Sequence, residues 1–326
     1  MVVFVLAGWC SGAKSTLQLK PVFWITWYIA LIDMTLLIAL LLALHHTTQA
    51  RECTLEDVRP DPKGSYHFNI DGVPCSRVNA RGKRLRDGDV VKMAAALEGD
   101  HNVITLDLSQ NHFGDRGAIA VATVLEHKNS KLSHLWLSAN NIGCGGITKV
   151  AEAISQNVFL EELHLARNHI HADGAKAISE ALKTNTRLLK LDVSHNAFHY
   201  LGSRSIAEAL EVNKALTHLN LGFNRIGDVG ARSIANGIRK NKVLTTLNLR
   251  SNGIGDTGAH MLAQELRRNR HLTSIEIAHN NASPEAMYEV SKLVHRNEDK
   301  QRMKKEKKER LRVQQEEEAL AAQQEL

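Results

Sequence analysis

Apolar residues in this chain alternate over short stretches and then change to helical spacing, and the change recurs along most of its length. In the block Leu160-Glu-Glu-Leu163-His-Leu165-Ala-Arg-Asn168, the alternation at Leu163 and Leu165 predicts a short strand with one buried face. The block recurs at Leu132–Asn140, Leu188–Asn196, Leu216–Asn224 and Leu244–Asn252, with looser copies at Val103–Asn111 and Leu272–Asn280. Its closing residues, Asn111, Asn140, Asn168, Asn196, Asn224, Asn252 and Asn280, are 28 residues apart, or 29 at the first step. Two residues on stands another apolar side chain (Phe113, Ile142, Ile170, Phe198, Ile226, Ile254), then a Gly. Next comes a segment such as Ala175–Leu182, apolar at positions that share one face of a helix. Asp115, Asp228 and Asp256 stand where the N-cap of that helix is expected, and a second series, Asn129 to Asn297, where it ends. One repeat therefore predicts one strand and one helix.

Such a unit cannot bury its apolar stripe alone, so copies stack. Strands pair in parallel at about 4.8 Å while helices need about 10 Å, and the mismatch bends the stack. On these residues the chain resembles the ribonuclease-inhibitor type of leucine-rich repeat. The resemblance implies an α/β leucine-rich-repeat solenoid, a horseshoe with parallel strands on the concave face and helices on the convex face. It spans 75–297 as about eight repeats, of which the first and last are degenerate. In the first, Cys75, Val78, Ala80 and Leu85 keep the pattern while Lys83 replaces Asn. In the last, Ala282 and Ala286 replace the apolar residue and the Gly. The resemblance also implies that the Asn ladder is structural, its amides bonding backbone groups where each strand leaves the sheet.

Outside the repeats the pattern breaks. After an N-terminal segment, 1–20, residues 21–46 hold an apolar run, Val22–Leu44, long enough at about 1.5 Å per residue to cross a hydrocarbon core of about 30 Å. It predicts an N-terminal transmembrane helix and a single-pass membrane protein, with Trp24, Trp27 and Tyr28 at one end. Asp33 within it is either paired with another membrane helix or protonated. Residues 47–74 predict a linker and N-terminal cap packed through Tyr66, Phe68, Ile70 and Val73. Residues 298–326 lack Gly and Pro and predict a charged helical tail. The tail's Lys304, Lys305, Lys307 and Lys308 read as a contact for anionic lipid or a partner, against the plain reading of a solvated end.

The formal charge is +6 and the sequence pI about 9.1. The basic residues concentrate in the tail and in Arg77, Arg81, Lys83, Arg84 and Arg86, without interleaved aromatics, which argues against nucleic acid. Cys10, Cys53, Cys75 and Cys144 show no disulfide spacing, and the sequon at Asn281 is followed by Pro284. Both features, with the resemblance, place the repeat domain in the cytosol.

Chemistry is sparse. Gly8 to Thr16 looks like a phosphate-binding loop, but Ala13 replaces the Gly before Lys14 and no nucleotide-binding sheet can follow. His164, His169 and His171 are separated by their register, so neither a metal nor another cofactor is expected. No nucleophile, base and orienting group coincide, which predicts neither an enzyme nor a small-molecule substrate. The outward strand positions instead outline a binding face: Trp136, His134, His164, Glu162, Asp192 and His218, with Arg167, His195, Phe223 and Arg250 beside them. Trp136 stands where polar residues are the rule, either as a hot spot for another protein or as a cover for the sheet. The expected function is a membrane-anchored scaffold or adaptor for protein–protein interaction. The alternative, implied by the resemblance, is a regulator that activates a small GTPase.

Overall fold

In every repeat but the last, where Ile275 is half-buried, the middle residue of a three-residue strand is buried and its two neighbours are not, so Leu135, Leu163, Leu191 and Leu219 form a row behind the sheet. The computed structural model describes residues 52–54, 69–70, 73–98, 100, 102–128 and 130–324. Strand β1 (Glu52–Thr54) is followed by a short antiparallel pair, β2 (Asn69–Ile70) and β3 (Val73–Pro74). Then β4 (Arg77–Asn79), α1 (Asp87–Leu97), β5 (Thr105–Asp107), α2 (Asp115–Glu126), β6 (His134–Trp136) and α3 (Cys144–Gln156) alternate. The alternation continues through β7 (Glu162–His164), α4 (Ala172–Thr184), β8 (Lys190–Asp192), α5 (His199–Val212), β9 (His218–Asn220) and α6 (Gly227–Lys240). It ends in β10 (Thr246–Asn248), α7 (Asp256–Leu266), β11 (Ser274–Glu276) and α8 (Pro284–Gln324).

Among the described residues the main sheet has nine strands in the order β1-β4-β5-β6-β7-β8-β9-β10-β11. All its pairs are parallel, with Leu135 opposite Leu163 and Leu163 opposite Leu191. The core lies between sheet and helices, where Phe113, Ile142, Ile170, Phe198, Ile226 and Ile254 are buried against helix residues such as Ile147, Ile178 and Ile234. The Gly of each repeat brings its helix close to this layer. A Cβ on Gly174 would lie 2.6 Å from Ile170 and 2.7 Å from Ile147.

The ladder Asn side chains complete the backbone bonding at the strand ends. Asn168 donates Nδ2–H to the carbonyls of Leu137 and Leu165, both at 3.0 Å, while its Oδ1 accepts the Ile142 N–H at 3.1 Å. The second series joins consecutive helices in the same way: Asn185 donates to Ile154 O at 2.7 Å and accepts from Leu188 N at 2.7 Å. Each of these amides spans two repeats, so a single side chain satisfies groups that one unit alone would leave orphaned.

Three sequence expectations are corrected. Asp115, Asp228 and Asp256 do not cap their own helices, which begin after Gly114, Ile226 and Gly255 without a side-chain cap. Each carboxylate instead takes N–H groups from the start of the next repeat's helix: Asp115 from Gly143, Asp228 from Gly255 and Gly258, Asp256 from Ser283. Asp87 does the same for Gly114 and Gly117. The aligned positions in the middle of the array hold Cys144, Ala172 and Tyr200. After Ala172 and Tyr200 the next helix starts differently, through left-handed His199 (φ 52°) and Gly227 (φ 64°). Their N–H groups go to Asn224 O and Asn252 O, both at 2.9–3.0 Å.

The second correction concerns cysteine. Cys53 and Cys75, 22 residues apart, form a disulfide with both side chains buried. It ties β1 to the chain just ahead of β4, its partner in the sheet. Disulfides persist in oxidising compartments, so the cysteine argument for a cytosolic repeat domain is removed.

The third correction concerns localisation. Among the described residues no helix is long and apolar enough to cross a membrane, which overturns the expected single-pass membrane protein. Residues 21–46, on which that expectation rested, lie outside the described residues, as do the phosphate-loop-like segment and the cap residues Tyr66 and Phe68.

Candidate functional site

Strands β6 and β7 project the most unusual group of side chains on the concave face. Because Trp136 is opposite His164 and His134 is opposite Glu162, an indole, two imidazoles and a carboxylate meet on two strands. The Trp136 ring stacks at 5.6 Å between centroids on His164 and at 5.9 Å on His134, both at 20°. Glu162 lies beside them. Its Oε1 accepts from Lys190 Nζ at 2.5 Å, and its carboxylate is 3.8 Å from His134 Nε2 and 3.7 Å from His164 Nε2. Burial works against the Glu162 charge, but Lys190, His134 and His164 outweigh it and hold the carboxyl below its ordinary value. His164 Nε2 is buried without a hydrogen-bond partner, a condition that costs about 1–3 kcal/mol.

Next to Trp136, toward the N-terminal repeats, is an open concavity of about 320 Å³ lined by Glu52, Arg77, Asn79, Thr105, Asp107, His134 and Trp136. Sequence reasoning missed Glu52, since β1 lacks the leucine pattern. It reaches the site because β1 pairs with β4.

A second observation separates Trp136 and His164 from the rest of the face. At the aligned last position of each strand, which Trp136 and His164 also occupy, Asn79, Asp107, Asp192, Asn220, Asn248 and Glu276 each accept the backbone N–H two residues downstream, at 2.8–3.2 Å. These side chains build the turn that leaves each strand, the usual service of Asx residues. Asp192 is thus engaged with Ser194 N at 2.9 Å and Asn248 with Arg250 N at 2.8 Å. Tryptophan has no acceptor for that bond, and among the described residues the His164 Nε2 has no hydrogen-bond partner. At two adjacent repeats the turn bond has been given up for aromatic surface.

The remaining candidates divide. His195 and Phe223 stack at 3.9 Å on the rim where the strands end, with Phe223 40% exposed. Burial, then the Arg167 charge, lowers the His195 pKa, opposed by Asp192. Arg167, His195 and Phe223 all have left-handed backbones, with φ of 57°, 54° and 58°, as do Ala139, Ser251 and His279 at the same repeat position. A side chain in that conformation costs about 1–2 kcal/mol. In all but His279, which is in the last repeat, it persists because the residue's N–H reaches the next repeat, as Arg167 N does to Ser194 O at 2.9 Å. His218 is on β9, with Nδ1 2.8 Å from Thr217 Oγ1, and Arg250 follows β10, so the fold does not bring either to Trp136. Among the described residues no group of three His, Cys, Asp or Glu is arranged to hold a metal ion. Lys304, Lys305, Lys307 and Lys308 are exposed on α8, away from the sheet.

Residues 99–122, 156–179, 212–235 and 240–263 match the family described as Leucine Rich repeat. No curated protein matches the chain. Among solved structures it is similar to leiomodin-1 actin-binding site 2, at 27% identity and a TM-score of 0.40, covering 43% of this chain and 81% of that one. It is also similar to the tropomodulin C-terminal domain of Caenorhabditis elegans, at 18% identity and 0.37, covering 58% and 97%. An internalin (inlF) of Listeria monocytogenes gives 18% identity and 0.38, covering 67% and 65%.

Proposed function

Because the chain is a leucine-rich-repeat protein of the ribonuclease-inhibitor type, we propose that it is a non-catalytic binding module that holds another protein on its concave face, with Trp136 at the centre of the contact. The observation that carries this reading is the loss of the turn-forming acceptor at Trp136 and His164, while six aligned positions keep it. A stacked, half-buried Trp beside a charged Glu162–Lys190 pair has the chemistry of an interface anchor, in which an aromatic side chain supplies area and nearby polar groups supply direction. Preorganisation adds to it: the ring is held between two imidazoles on a stiff sheet, so little side-chain freedom remains to be lost on binding. Arg167, His195 and Phe223 extend the same surface over the rim. Neither the membrane anchoring expected from the sequence nor the alternative, activation of a small GTPase, has support in the comparisons.

The test is quantitative affinity capture from an extract of the source organism with wild-type protein, Trp136→Ala and Tyr288→Ala, each checked for unchanged circular dichroism. Tyr288 is exposed on α8 and serves as the control. Proteins retained by wild type and Tyr288→Ala but lost with Trp136→Ala support the reading. Identical retention by all three overturns it.

A further inference from the structure

The end of the repeat array carries a second feature that the concave face does not use. Helix α8 begins as the last repeat's helix and runs on without a break. Its root is pinned. Asn297 donates to Asn269 O and Leu272 O, Arg296 to Leu266 O, and Gln301 to Arg270 O and His271 O at 3.2–3.3 Å. Beyond the pin, Lys300, Lys304 and Lys308 recur every four residues and therefore share one stripe. With Arg270 and His271 from the loop before β11, and with Gln301 and Lys305, they line a groove of about 650 Å³.

What sets this groove apart is that unpaired cations converge in it. Four nearby cations have carboxylates, Arg267 with Glu289, Arg268 with Glu265, Arg302 with Asp299 and Arg312 with Glu316, while Lys307 and Arg310 on the same helix are unpaired among the described residues but lie outside the groove. Arg270, Lys300, Lys304, Lys305 and Lys308 make no ion pair among the described residues, and no carboxylate lines the groove. Five like charges held together by a pinned helix repel one another, and an anionic occupant would relieve that repulsion. The lining has no Trp, Tyr or Phe and a single imidazole, His271, so it offers no run of rings for successive bases, and it is a cleft between a loop and a helix, not a flat basic plane. We propose that this groove docks an acidic peptide segment, rich in Asp and Glu, of a partner protein. The carboxylates would meet Lys300, Lys304, Lys308 and Arg270, and the peptide backbone would lie along the aliphatic stems of the lysines.

The experiment is fluorescence polarisation of a fluorescein-labelled twelve-residue Asp/Glu peptide with the full chain at near-physiological salt. Two double variants of equal charge change are compared: Lys304→Glu with Lys308→Glu in the groove, and Arg302→Glu with Arg310→Glu on the other side of the helix at 100° per residue. Saturable binding that weakens about tenfold in the groove variant and less than threefold in the other supports the proposal. Equal losses in both mean diffuse attraction and overturn it, as does absence of binding. A single-stranded oligonucleotide or phosphatidylserine vesicles binding more tightly than the peptide, with the same groove dependence, overturn the assignment to an acidic protein segment. Because Trp136 is untouched in all variants, the outcome is independent of the concave-face reading.

Discussion

Asp228 accepts the backbone N–H of Gly258, 30 residues downstream, at 2.9 Å, although Asp228 itself lies in the first turn of the preceding repeat's helix. The same oxygen takes Gly255 N at 2.7 Å, so one carboxylate holds two orphan donors at the start of α7. The cap is therefore an interface between repeats. Asp228→Ala is expected to lower stability by about 1 kcal/mol, read as a fall in the urea midpoint with the slope unchanged. No change in midpoint would show that solvent replaces the carboxylate without loss.

The cap can also be installed where it is missing. Cys144 occupies the aligned position, and the helix that follows starts after an extended His171 as the capped ones do after Gly114, Gly143 and Gly255. Cys144→Asp should raise stability by about 1 kcal/mol by taking the His171 and Gly174 N–H groups. A lower melting temperature would mean that the thiol packing is worth more than the bond.

At Trp136 stability and binding should move in opposite directions. Trp136→Ala is expected to weaken a captured partner by about 2 kcal/mol or more with the fold intact. Trp136→Asn restores the turn acceptor for Ser138 and should add about 1 kcal/mol of stability while losing the partner equally. If the Asn variant is destabilised, the ring is there to cover the sheet.

Acidification should destabilise the domain in two windows. The His195 pKa is lowered by folding, so the unfolded chain binds the proton more readily, and stability present above the ordinary value of 6.5 is lost as pH falls through it. The Glu162 pKa is also lowered, and its contribution, present above the ordinary 4.5, is lost as pH falls below that value. Urea midpoints measured from pH 8 to pH 4 should fall in both windows. His195→Gln should flatten the upper one alone, and an unchanged upper window would remove His195 as its source.

Reduction or Cys53→Ser should cost about 3 kcal/mol by the loop-closure argument for a bridge of this span. It also frees β1, and with it Glu52, from the concavity beside Trp136. A mass shift on alkylation only after reduction, together with a lower urea midpoint, would confirm the bond. Full alkylation without reduction would contradict it.

The fold was legible because leucine spacing is a local signal that is repeated: Leu163 and Leu191 need only be 28 residues apart to be stacked neighbours. What escaped the sequence reading depends on contacts between units. Asp228 looks like the cap of its own helix when read along the chain, and only parallel stacking brings it to Gly255. Cys53 lies outside any repeat, so spacing carried no hint of Cys75. Asp192 could be placed on the concave face by register, but not its engagement with Ser194, which depends on turn geometry. Trp136 was legible for a different reason, since its departure from a polar column is visible in the letters themselves.

The long C-terminal helix has a geometric consequence. From the pin at Asn297 to Gln324 it rises about 40 Å at the helical pitch, about the width of the nine-stranded sheet at strand spacing. A partner bound at its far end would therefore stand about that length from the last repeat, a spacing set by the number of helical residues between them.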